Sequence, residues 1–150
     1  MIGLPKKLLI AFDAVLYVAY NSPSAAVSSK EISENIGLQQ RYLENILQHF
    51  VHDNIIKGVR GPRGGYVLAR EKRKITLGEI VESYYRLEES NNELDSKTTK
   101  LGQMVLRPAL ESISRNITQS MHAITLEELC DRAEVLGIGR EGKASMDYSI

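Results

Sequence analysis

The stretch Val59-Arg60-Gly61-Pro62-Arg63-Gly64-Gly65-Tyr66-Val67-Leu68-Ala69 decides how this chain reads. Gly61-Pro62 and Gly64-Gly65 are turn formers, because proline presets one backbone angle and glycine permits angles other residues resist. Ile55-Ile56-Lys57-Gly58-Val59-Arg60 precedes the turn and Tyr66-Val67-Leu68-Ala69 follows it. Two short β-like runs about a Gly/Pro turn predict a β-hairpin. That hairpin is basic. Residues 57–74 hold Lys57, Arg60, Arg63, Arg70, Lys72, Arg73 and Lys74 against the single acid Glu71. Such a patch suits phosphate, although a solvated basic hairpin would carry the same charges.

Working upstream, Gln39 opens a predicted helix that runs to about Asp53, with Leu43, Ile46, Leu47 and Phe50 on one face. Before it, Ser28-Ser29-Lys30-Glu31 fits a capping box, in which the serine hydroxyl accepts a backbone N–H while the glutamate reaches back. A short helix over 29–35 follows and Gly37 ends it. Two helices joined by a tight glycine turn form a helix-turn-helix pattern. Pro5 suits the first turn of an earlier helix over 5–20, where Leu8, Phe12, Val15 and Ala19 recur at helical spacing. Three helices and a hairpin make a winged helix-turn-helix.

Downstream, Thr76-Leu77-Gly78-Glu79 is a second capping box, opening a helix to about Tyr85. Residues 88–100 are polar and read as a loop. From Leu101 to about Ile124 a long helix is expected, with Leu106, Leu110, Ile113, Ile117, Met121 and Ile124 as an apolar stripe. Pro108 either starts that helix or kinks it. Thr125-Leu126-Glu127-Glu128 is a third capping box. The expected fold is mainly α with a small β-hairpin wing. Its parts are a winged domain over 1–86, a polar loop over 87–100, a dimerisation helix and C-terminal helix over 101–136, and a flexible tail over 137–150.

Composition bounds the function. The chain has 150 residues, 43% hydrophobic and 25% charged, which suits one domain with an appended element. No apolar run nears the roughly 20 residues that span a bilayer. Asp13 interrupts the apolar N-terminal stretch, so no signal peptide is expected and the chain reads as cytoplasmic. The single cysteine excludes an internal disulfide and a Cys-only zinc site. Net charge is zero, which argues against nucleic acid only until it is divided. Residues 1–74 carry 11 Lys/Arg and 6 Asp/Glu, while residues 75–150 carry 8 and 13. No nucleotide loop, catalytic triad or paired-carboxylate pattern is present, so an enzyme is not expected.

Val59 to Arg70 resembles the Rrf2 family of bacterial transcription regulators. Arg41-Tyr42-Leu43-Glu44-Asn45-Ile46-Leu47 resembles that family's recognition helix, and Ile75-Thr76-Leu77-Gly78-Glu79-Ile80-Val81 the helix after its wing. Ile124-Thr125-Leu126-Glu127-Glu128-Leu129 resembles its C-terminal helix, so the likeness covers about 4–134. It implies a homodimer on a palindromic operator in double-stranded DNA, most simply a repressor. It also implies that the positions of Gln39, Arg41 and Glu44 face the major groove. Gln39 and Arg41 are larger than the serine often found at those two family positions. Glutamine can pair with adenine, arginine with guanine, and a glutamate can accept from cytosine. Gln40 shares the first turn. Arg60 matches the family's minor-groove arginine, and Arg63 replaces a residue that is often glycine. Lys6, Lys7, Ser28, Tyr42 and Lys57 are candidate phosphate contacts. Leu106, Leu110, Ile113, Ile117 and Met121 are the candidate dimer interface.

Many family members hold an iron–sulfur cluster through three cysteines between wing and dimerisation helix. Residues 86–116 here contain neither Cys nor His, so no cofactor is expected. Cys130 reads as a buried structural thiol, and His49, His52 and His122 as surface, phosphate-facing or interface residues. The branch without cluster cysteines represses cysteine-metabolism genes and acts with cysteine synthase. Its tail ends in isoleucine, and Asp147-Tyr148-Ser149-Ile150 resembles it. That resemblance implies docking on cysteine synthase through Tyr148 and Ile150. Two readings stay open beside DNA binding: a protein-interaction module, and a redox or metal sensor built on Cys130 with histidines.

Overall fold

A computed structural model describes residues 3–23, 25–91 and 98–140. Ser24, residues 92–97, and residues 141–150 with Tyr148 and Ile150 lie outside the described residues. The order is α1 (Lys6–Asn21), α2 (Ser29–Ile36), α3 (Gln40–His52), β1 (Ile56–Val59), β2 (Gly65–Leu68), α4 (Leu77–Asn91), α5 (Arg107–His122) and α6 (Leu126–Val135). It is the winged helix-turn-helix that the sequence predicts, with a further long helix packed on α4. No helix among the described residues is long and apolar enough to cross a membrane.

Local chemistry sets the helix starts. Ser28 Oγ accepts from Glu31 N at 3.1 Å, and Thr125 Oγ1 from Glu128 N at 3.2 Å. At α4 the capping box is complete, with Glu79 Oε2 accepting from Thr76 N at 3.0 Å and Thr76 Oγ1 from Glu79 N at 3.2 Å. Glu31 does not close its box in this way; its carboxylate accepts from Tyr17 Oη at 3.0 Å, tying α2 to α1. Gly37 ends α2 in the left-handed region, at φ 75°.

The core takes Leu8, Val15 and Val18 from α1, Ile32 from α2, and Leu43, Leu47 and Phe50 from α3. Ile56, Ile75, Ile80, Tyr84, Leu126 and Cys130 complete it. Helix α4 continues to Asn91, beyond the end near Tyr85 and into the expected loop, because Leu87 still packs on this core.

Helix α5 contributes no fully buried residue. A π-helical segment, Gly102–Leu106, leads into it, and Arg107 N–H bonds back to Gly102 O. Pro108 lacks an N–H and its ring collides with the carbonyl four residues earlier in a regular helix. One wider turn just before it accommodates the ring while the helical path continues. Helix α5 rests on α4, and an antiparallel bridge between Thr76 and Thr125 ties the starts of α4 and α6 together.

Candidate nucleic-acid interface

The hairpin pairs Ile56 with Leu68, Lys57 with Val67, Gly58 with Tyr66 and Val59 with Gly65. A third segment joins it. Val27 and Tyr66 exchange both backbone hydrogen bonds, at 2.9 and 2.8 Å, so the residues that launch α2 extend the wing. A β-carbon on Gly65 would collide with the carbonyl of Val27, so that crossing needs glycine there. Gly61, at φ 116°, makes the wing tip. The recognition helix is tied in as well, since Gln48 Nε2 donates to Tyr66 Oη at 3.3 Å. Burial pushes the Tyr66 phenol above its ordinary value; the Gln48 bond opposes that and the Glu44 charge adds to it.

Ion pairing sorts the basic patch in a way no charge count reveals. Arg70 donates to Glu79 Oε1 at 2.8 Å and to the carbonyls of Asn54 and Lys74. Arg73 and Lys74 pair with Glu71. These three cations brace the segment after the wing. Lys57, Arg60 and Arg63, and Arg41 on α3, pair with no carboxylate among the described residues, and all four are exposed. Unpaired positive charge therefore stands both at the wing and at the first turn of α3.

Ser28, Ser29, Gln48, Arg60, Gly65 and Tyr66 line one cleft of about 480 Å³ with Val51, Gly58, Val59 and Gly64. Ser29 also holds the side chains of Gln40 and Glu44, at 3.1 and 2.8 Å. The wing arginine thus shares this cleft with Ser29, which braces the first turn of α3, and with Gln48 and Val51 from later turns of that helix. Gln39 is the exposed N-terminal cap of α3, with no side-chain bond across that cap, and Tyr42 stands 36% exposed one turn on. Lys6 and Lys7 are exposed at the start of α1 and do not line the cleft. The free N–H groups at the start of α3 present a positive dipole end on this side.

Sequence reasoning missed Ser29 and Gln48. Ser29 follows a cap serine and reads as an ordinary helix start, so its role emerges only when α3 packs beside it. Of the histidines, His52 and His122 are exposed, and only His49 differs from expectation. His49 is largely enclosed, its Nε2 2.8 Å from Ser83 O and 3.4 Å from Asp53 Oδ2. Asp53 also accepts from Ser83 Oγ at 2.5 Å and Arg86 at 2.9 Å, which fastens the end of α3 to α4. Burial would raise its carboxyl, but the bonds from Ser83, Arg86 and His52 outweigh it and hold the group at about 2.

Leu106, at the end of the π-helical segment, and Leu110, Ile113 and Ile117 on α5 are 57, 54, 53 and 46% exposed and form one apolar stripe left uncovered by the described residues. Met121 is half-buried on the chain's own core. Cys130 is 1% exposed, and burial pushes its thiol up.

Residues 4–132 match the family described as Rrf2, iron-dependent transcriptional regulator. The HTH-type transcriptional regulator IscR of Cronobacter sakazakii is 32% identical over 129 residues, covering 85% of this chain and 80% of that protein. IscR of Escherichia coli is 32% identical over 133 residues, covering 87 and 82%. Among solved structures, T. potens IscR superposes with a TM-score of 0.71 at 26% identity, covering 98% of this chain and 97% of the other. CymR, the global cysteine regulator of B. subtilis, gives 0.66 at 22% identity over 88 and 98%, a likeness of fold.

Proposed function

Because the chain belongs to the Rrf2 family of transcriptional regulators, we propose that it acts as a cytoplasmic homodimeric repressor, binding a palindromic operator without an iron–sulfur cluster. One observation carries the reading. Ser29 lies in a cleft with Arg60 and holds Gln40, so an unpaired wing arginine shares a cleft with the residue that braces the first turn of α3. A helix start of this kind reads base edges in the major groove while a guanidinium enters the adjoining minor groove.

The dimer is inferred from the α5 stripe, which would leave four large apolar side chains in water without a partner. Two copies joined along it would present two recognition helices to half-sites about 34 Å apart. The cluster-free reading rests on donor chemistry. An iron–sulfur centre takes thiolates, and the sole cysteine sits in the core with its thiol pushed toward protonation. Among the described residues no group of three His, Cys, Asp or Glu could hold a metal. The residues do not fit the iron of the family's description.

Selection of bound DNA from a random pool tests the proposal. A palindrome with half-sites one helical turn apart is expected, with affinity falling steeply as salt rises. No enriched motif would remove the reading. Loss of operator binding on treatment with an iron chelator would remove its cluster-free part.

A further inference from the structure

Gln40 stands exposed on the first turn of α3. Its Nε2 lies 3.0 Å from Glu44 Oε1 and 3.1 Å from Ser29 Oγ, and Ser29 Oγ donates to the same Oε1 at 2.8 Å. The three groups close a triangle. A carboxylate oxygen only accepts, so the end of the Gln40 amide that faces it must be the NH2. Ser29 spends its single hydrogen on Glu44 and can only accept from Gln40. Every proton in the triangle has one consistent place.

The two acceptors touch each other at 2.8 Å, so from Nε2 they lie about 55° apart, less than half the angle between the amide's two N–H bonds, and one N–H aimed between them reaches both. The second N–H and the whole of Gln40 Oε1 remain available. A donor beside an acceptor on one planar amide is the pair with which glutamine reads adenine, giving a hydrogen to its ring nitrogen and accepting one from its amino group. Glu44 Oε1 is meanwhile occupied by two donors.

We propose that Glu44 is a positioning residue for base reading: with Ser29 it clamps the Gln40 amide in the orientation that selects adenine. This rests on the DNA-reading role inferred above and replaces the direct contact with cytosine that the sequence suggests for Glu44. Holding a long side chain in place before DNA arrives lowers the ordering cost of the contact. Ser29 begins α2 and Glu44 lies in α3, so the clamp also spans the two helices of the helix-turn-helix.

Selection from a random DNA pool with the full chain and its variants tests the clamp. Gln40→Ala should lose an adenine preference at one position in each half-site, about tenfold. Glu44→Ala and Ser29→Ala should weaken the same position and leave the others. Glu44→Gln should keep it, because its amide oxygen still accepts. Adding Glu44→Ala to Gln40→Ala should change nothing further at that position. A changed preference in Glu44→Ala at a position that Gln40→Ala leaves alone would overturn the proposal, since Glu44 would then read a base itself. So would a Gln40→Ala profile identical to the parent chain. Failure of the parent chain to enrich any motif is a separate result, and defeats the DNA-reading role itself.

Discussion

Gly78 lies against the face of the His122 imidazole, so closely that a β-carbon at Gly78 would collide with His122 Cγ. The ring is held from both sides, with Nδ1 3.1 Å from Thr76 Oγ1 and Nε2 3.0 Å from Glu82 Oε1. A single side chain at the end of α5 thus joins it to the first turns of α4. This joint connects the half of the molecule that carries the wing to the half that carries the apolar stripe.

Gly78→Ala should therefore destabilise the chain by about 1–3 kcal/mol, since the ring must move or give up its partners. His122→Ala, added to Gly78→Ala, should recover part of that loss by opening space. Thermal denaturation of the single and double variants measures both. A double variant no more stable than Gly78→Ala would show that the close approach does not set the joint.

Asp53 gives a pH dependence with a defined sign. Its carboxyl is held below the ordinary 3.8, at about 2. Stability from its bonds to Ser83 and Arg86 is present above the ordinary value and lost as pH falls through the lowered one. Asp53→Asn should cost about 2 kcal/mol at neutral pH. In urea unfolding, the gap between parent and variant should shrink steadily from about pH 4 toward pH 2. A gap of constant size would refute the assignment.

Arg60→Ala should weaken operator binding about tenfold and relax the preference for A·T pairs beneath the wing. Lys57→Ala should instead weaken all sequences alike and reduce the salt slope by about 1, the amount that one neutralised phosphate supplies. Fluorescence anisotropy across a salt series separates the two. Unchanged affinity in Arg60→Ala would mean the wing does not touch DNA.

Ile113→Glu should dissociate the proposed dimer. Burying one unpaired carboxylate in an apolar seam costs about 3 kcal/mol or more, roughly a hundredfold in dissociation constant. Sedimentation equilibrium should show a monomer that keeps its helical content. A dimer of undiminished affinity would place the interface elsewhere than the stripe on α5.

Cys130 should resist alkylation in the folded chain and react readily in urea, because the thiolate is the reactive form and burial disfavours it. Rapid labelling of the native chain would revive a redox role.

The parts of this fold that are legible in the sequence are local. Ser28, Thr76 and Thr125 announce helix starts because a cap hydroxyl bonds only three residues ahead. Gly37 and the Gly/Pro turn at 61–65 are equally short-range. The end of α4 is hidden, because Leu87 extends the helix by packing on a core built from the rest of the chain. The site is legible as residue types but not as partnerships. Arg70 and Arg60 look alike in sequence, yet Arg70 is spent on Glu79 nine residues away and Arg60 is not. Glu44 has the chemistry of a base reader, and only the fold brings Ser29, from the preceding helix, onto its carboxylate.

The neutralisation of Arg70, Arg73 and Lys74 by Glu71 and Glu79 has a kinetic consequence. Attachment to arbitrary DNA is driven by the small ions a protein displaces from the backbone, and each spent cation displaces none. With these three cations spent on carboxylates, the segment after the wing adds little that would hold this chain on the wrong sequence. It should leave such sites quickly and dwell only where base edges add their own bonds.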